Sequence, residues 1–325
     1  MSPSAVLRIA LAATVFRAIS FLVAVFVANV FQKAAATPAD SAAAGFGIYP
    51  LLAREVSRLA GRSIPGAATP ELLLSWLAFA GAMVMMQRLA QLDMEDERAE
   101  SAALLAAVFP FASVFGHASA DALFLLFALA AFYCFRQGQW IAGGVCGAVA
   151  TATLPAGILM LPGLAWTGWR SGGPSRTRMV IALLVAAGGF AGYLTYLYYL
   201  GGPPGGWSAS AGEWGFRFNV VPWTPIRQLF TSHLASLDAL NAVMACIFLV
   251  AVPIVWWRFD GGYALYMLAL LWLPLTSGRF DGIGRACALM FPTFILIAGV
   301  RWRAVRVATA IASAMFYALN LVLWQ

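Results

Sequence analysis

Apolar runs near 6–31, 72–92, 101–116, 119–135, 139–153, 155–169, 179–200, 238–257, 262–276, 285–300 and 303–323 make up most of the chain, and most of its arginines fall in the gaps between them. About 20 consecutive apolar residues are what a helix needs to cross a bilayer, where every backbone N–H and C=O must be bonded within the segment. The pattern therefore points to an all-α fold, a polytopic transmembrane helical bundle of about eight to eleven spans. The runs between 101 and 169 are short for a perpendicular span, so tilted, re-entrant or broken helices are expected there. Composition agrees: 62% of the 325 residues are hydrophobic and 10% are charged, against an apolar share of about 45–50% in soluble domains. With the chain largely consumed by such runs, residues 1–325 read as a single integral membrane domain. A cleaved leader is disfavoured, because the first run exceeds the roughly 7–15-residue apolar region of a signal peptide.

The net charge of +7 comes from 20 basic residues against 13 acidic ones. The basic residues are scattered rather than clustered, which argues against nucleic acid as a partner and for the lipid bilayer. Taking the runs as alternating spans with the N-terminus inside places eleven of the 20 on the inner side and eight on the outer, with Arg17 inside the first run. That bias favours a multi-pass protein with a cytoplasmic N-terminus, in a bacterial inner membrane. The four cysteines, Cys134, Cys146, Cys246 and Cys287, lie in or beside apolar runs without metal-ligand spacing, and no metal or cofactor is expected.

Two outer segments carry distinct patterns. Residues 47–62 space Arg54, Arg58 and Arg62 on one face and Leu52, Val56 and Leu59 on another, the signature of an amphipathic helix lying in the membrane interface. Within it, Glu55 is placed to pair with Arg58. The loop at 201–237 opens with GGPPGGW, which excludes regular structure, and its tryptophans suit an interfacial belt. On the inner side DMEDER reads as an acidic solvated turn. GGVCGAV and GGFAG read as small-residue helix packing, not nucleotide loops.

The functional residues expected from chemistry cluster at outer span ends. His117 and Asp121 are four apart, so a helix beginning near His117 would put both on one face. Asp121 is also suited to a helix N-terminus, where the dipole favours a carboxylate. Arg279 and Arg285 stand in SGRFDGIGR between two apolar runs, where they either snorkel to headgroups or bind a phosphate.

Four segments taken in order resemble the glycosyltransferase C superfamily, and within it the PIG-V-like mannosyltransferases. They are GFGIYPLLAREVSRLAG at 45–61, FPFASVFGHASADALFLLFALAAF at 109–132, AGEWGF at 211–216 and LPLTSGRFDGIGRACALMFPTFILIA at 273–298. The resemblance sets Asp121 at the family's glutamate and Arg285 at its arginine. It implies an enzyme transferring a hexose, by family analogy mannose, from a polyprenyl-phosphate sugar donor to an acceptor on the outer face. Arg285 and Arg279 would hold the donor phosphate, while His117, Glu213 and Trp214 would line the substrate. The chain departs from the family in two places. The first outer loop lacks the Trp-Asp pair that supplies the expected base, leaving Asp40 as that loop's one acid, and Leu154 stands where an arginine usually precedes the proline. Asp40 is then the base candidate and Asp121 a catalytic residue in substrate placement. Two alternatives stay open: an inactive relative that binds lipid phosphate or assembles with a membrane partner subunit, and a lipid or sugar transporter.

Overall fold

A computed structural model describes residues 8–17, 20, 48–59, 70–172, 175–201, 236–276 and 282–323. Among these residues all regular structure is helical. After the helical residues 8–17 come α1 (Tyr49–Leu59), α2 (Pro70–Ala90), α3 (Asp96–Ala107), α4 (Asp121–Arg136), α5 (Trp140–Thr153), α6 (Leu161–Arg170) and α7 (Arg176–Gly201). They are followed by α8 (Ser236–Arg258), α9 (Gly261–Thr276), α10 (Ile283–Leu289), α11 (Phe291–Ala298) and α12 (Arg303–Leu323). Two 3₁₀ turns, Ala112–Gly116 and Pro155–Met160, interrupt the apolar runs before α4 and after α5.

Three helices are long and apolar enough to cross a membrane, with candidate spans at Glu71–Ala90, Arg176–Tyr196 and Asn241–Arg258. The short runs of the sequence become short helices: α5 has 14 residues and α6 has 10, with a 3₁₀ turn between them. The physical cause is local. Pro155 and Pro162 lack N–H donors and so suit the first turn of a helix better than its interior. Likewise Pro292 in the first turn of α11 separates it from α10 at Met290.

Helix α4 is the hub, packing against α2, α5 and α6. Its core contacts are aromatic. The Phe132 ring lies 5.3 Å from that of Phe291, 5.4 Å from that of Tyr266 and 5.7 Å from that of Tyr263, joining α4 to α9 and α11. Such edge and offset geometries add roughly 0.5–1.5 kcal/mol per pair beyond area burial. The GGVCGAV and GGFAG stretches face one another. Gly144 lies against Ala182 and Gly147 against Ala186, while Gly189 meets Ala148 and Thr151, so α5 and α7 run parallel at close range. Thr151 Oγ1 seals that seam by donating to the Ala186 carbonyl at 2.5 Å.

Polar contacts set the roll of α1 and correct the reading of DMEDER as a solvated turn. The buried face of α1 is Tyr49 and Ala53, flanked by half-buried Val56, whereas Leu52 is exposed. The helix rolls toward α2 because the Tyr49 hydroxyl finds polar partners there. The acidic DMEDER turn is not simply solvated. Asp93 forks onto Arg136 at 2.8 and 2.9 Å, Glu97 meets Arg306 at 3.2 Å, and nearby Glu100 meets Arg8 at 3.8 Å. The turn thus gathers the cationic ends of three other segments.

Candidate functional site

The first residue of α4 is Asp121, and its side chain is fully buried. Its carboxylate sits at the positive end of the helix dipole. Instead of turning back to cap the backbone, it accepts two bonds from Arg285, from Nε to Oδ1 and from Nη2 to Oδ2, each at 2.8 Å. This planar fork joins residues 164 positions apart. Bidentate, charge-assisted pairing of this kind fixes orientation as well as distance. The Arg285 side chain keeps 32% of its surface exposed, so part of it is reachable from outside the bundle while its partner is not.

Glycine positions Arg285. The residue before α10, Gly282, has φ +87°, a left-handed conformation that L side chains rarely adopt. Two residues on, Gly284 lies so close to the Phe111 ring that an added Cβ would overlap it. The buried Asn241 on α8 accepts the Gly284 N–H through Oδ1 at 2.9 Å. These contacts bring the start of α10 against the turn that leads into α4. Gly282 and Gly284 thus supply a backbone that can enter closely packed space and deliver one arginine to one aspartate.

A second set of bonds holds the Asp121 side. The Tyr49 hydroxyl lies 2.8 Å from both the Glu71 carbonyl and Ser75 Oγ. Ser75 Oγ in turn accepts the Ser119 N–H at 3.1 Å and lies 3.0 Å from the Ser119 carbonyl. Burial pushes the Tyr49 phenol up to about 12, with the nearby Glu71 and Asp121 charges adding to the shift. The phenol is therefore neutral at ordinary pH and available as a donor. Sequence reasoning assigned no role to Tyr49, Ser75, Ser119 or Asn241. The one signal present was Tyr49 within the GFGIYPLL segment.

His117 is not on α4. It follows the 3₁₀ turn Ala112–Gly116 as an exposed residue in extended conformation, with Nδ1 3.0 Å from the Ser113 carbonyl. The four-residue spacing to Asp121 therefore does not become a shared helical face, because the helix starts at Asp121 itself. Asp40, Glu213, Trp214 and Arg279 lie outside the described residues. Glu55 forms its expected pair with Arg58, at 3.1 Å. Among the described residues no group of three or more His, Cys, Asp or Glu side chains is placed to hold a metal ion.

No model of a known protein family, no curated protein and no solved structure matches this chain. The site therefore stands on its own geometry: a buried carboxylate at a helix start, an accessible arginine locked to it, and a hydroxyl network bracing the turn between them.

Proposed function

We propose that the protein is a multi-pass membrane glycosyltransferase of glycosyltransferase C type, transferring a hexose, by family analogy mannose, from a polyprenyl phosphate to an acceptor hydroxyl at the outer face. The observation that carries this reading is the Asp121–Arg285 fork. It joins the two residues that the resemblance assigns to one site, with the arginine side chain half-buried rather than sealed. In the reaction, the acceptor oxygen attacks the anomeric carbon and the bond from that carbon to the phosphate oxygen breaks. Polyprenyl phosphate leaves with the bonding electrons, and a carboxylate takes the acceptor proton. Arg285, aided by Arg279, offsets the charge growing on the leaving phosphate. Asp121 holds Arg285 in its orientation, and Asp40 is the proposed base. Exposed apolar residues such as Leu77, Leu184 and Trp257 support a lipid-facing exterior, and the count of eight to eleven spans belongs to this same reading.

A second reading is favoured by one detail. Both Asp121 oxygens are already taken and the side chain is sealed from solvent, which suits a lipid-phosphate-binding relative that no longer transfers sugar. Purified protein with a labelled polyprenyl-phosphate mannose and a panel of hydroxyl acceptors separates the two. Under the transferase reading, Arg285→Ala weakens donor binding, and Asp40→Asn lowers the transfer rate by about 10²–10⁴ with donor binding retained. Donor binding without transfer to any acceptor supports the inactive relative. Full donor binding by Arg285→Ala refutes both.

A further inference from the structure

The turn at 137–139 folds α5 back on α4, and two cysteines meet across the fold. The Cys134 carbonyl takes the Gln139 N–H at 2.8 Å, which ties the end of α4 directly to the start of α5. Gly143 sets how closely the helices approach: an added Cβ there would overlap the Phe135 ring and stand 3.3 Å from the Cys134 Cβ. Cys146 is one turn further along that face of α5, and the Cys134 and Cys146 side chains hydrogen-bond to one another. We infer that this pair is a redox modification site, a dithiol that closes to a Cys134–Cys146 disulfide on reaction with a low-molecular-weight disulfide. The pair operates independently of the proposed transferase site, which lies at the other end of α4.

Geometry favours closure. A disulfide asks for Cβ atoms about 3.5–4.5 Å apart, and the approach at Gly143 shows the two backbones near enough to offer it. All four cysteines are free thiols, so the pair stands in its reduced form. Accessibility then orders the steps. Cys134 is 8% exposed, whereas Cys146 is partly exposed and stands beside Val145, itself 53% exposed. Cys146 is therefore the attacking thiol. Its sulfur, giving up a proton, bonds to one sulfur of the small disulfide, whose S–S bond breaks and whose first half leaves as a thiol. The Cys134 sulfur, giving up its own proton, then bonds to the Cys146 sulfur and expels the second half. Two electrons pass from the pair to the oxidant, which departs as two thiols carrying the two protons. The product cross-links α4 to α5. In a reducing compartment such a bond is transient and serves redox sensing rather than permanent bracing. Cys246, exposed on α8, and Cys287, buried on α10, supply internal comparisons.

The test uses full-length Cys246→Ser protein in a non-ionic detergent, treated with dithiodipyridine, an uncharged disulfide whose released thiopyridone is read by absorbance. Intact mass spectrometry and peptide mapping read the product. The protein should release two thiopyridones per chain and become lighter by two hydrogens, with Cys134 joined to Cys146, Cys287 untouched and no pyridyl adduct left. Reduction with a phosphine should restore the starting mass. Adding Cys134→Ser should stop the reaction halfway, with one thiopyridone released and a stable pyridyl adduct on Cys146. Adding Cys146→Ser instead should leave the shielded Cys134 to react far more slowly. A separate adduct on each of Cys134 and Cys146, a stable adduct on Cys146 beside a reduced Cys134, or no reaction of the pair overturns the inference.

Discussion

Arg17 lies in the first apolar run, where a charge is expensive, and it is fully buried with no carboxylate paired to it among the described residues. Its guanidinium donates instead to the carbonyls of Ala107 at 2.8 Å and Ala112 at 2.6 Å and to the Tyr317 hydroxyl at 3.1 Å, with the Phe79 ring 4.4 Å away. Ala107 ends α3, so the arginine satisfies a carbonyl that the helix terminus leaves open and adds a second donor to Ala112 at the start of the 3₁₀ turn. This is a structural use of charge, and it does not resemble a transport pathway. Arg17→Met should strand the Ala107 carbonyl and destabilise the fold by about 1–3 kcal/mol. Tyr317→Phe should cost about 1 kcal/mol. Thermal unfolding in detergent measures both, and an unchanged midpoint for Arg17→Met would show the charge to be idle. None of this is legible in the sequence, where Arg17 is only an anomaly in an apolar run, because its partners sit 90, 95 and 300 positions away. Asp121 and Arg285 were legible as types, an acid and a base at span ends. That they face one another depends on the depth at which α10 enters the bundle, which no local pattern encodes.

At the scale of elements, that depth is set by two glycines. Gly284→Ala drives a methyl into the Phe111 ring, so α10 must move outward and carry Arg285 off Asp121. Gly282→Ala forces a left-handed residue at a cost of about 1–2 kcal/mol. Pairing Gly284→Ala with Phe111→Ala should restore donor binding lost by the single glycine variant, a coupling that a double-mutant cycle measures. Additive losses would place the defect elsewhere. The glycine-rich seam of α5 and α7 was readable in advance because small residues recur at helical spacing on both strands of the contact. By contrast, which residues of α1 pack on α2 was not legible. Its apolar periodicity sets Leu52, Val56 and Leu59 on one face, whereas the hydrogen bonds of Tyr49 turn Tyr49 and Ala53 toward the bundle. Periodicity reports where apolar groups sit and is blind to a single polar anchor that outweighs them.

For the whole molecule, the described helices sort into two polar ends. One holds Tyr49, Ser75, Asp121 and Arg285, and the other holds Asp93, Arg136, Arg176 and Arg306. The proposed orientation puts the first end outside. In a background lacking the native cysteines, His117→Cys should react with a membrane-impermeant maleimide in intact cells, and Gln137→Cys only after permeabilisation. The reverse pattern would invert the topology. Both positions are exposed, so reactivity should follow sidedness rather than burial. The two ends are bridged by α4, whose 16 residues span about 24 Å. The helix carries its acid at the first residue and its base at the last, and each is clasped by a fork from another element. Sliding α4 by a turn would have to break both clasps at once, so it has a single stop along its axis. The partner of the first clasp is held differently: α10 is seven residues long, between a left-handed glycine and the break at Met290, and it keeps its place through the contact of Gly284 with Phe111 and the bond to Asn241. In mechanical terms α4 is a bar bolted at both ends, and α10 is the bolt head at one of them.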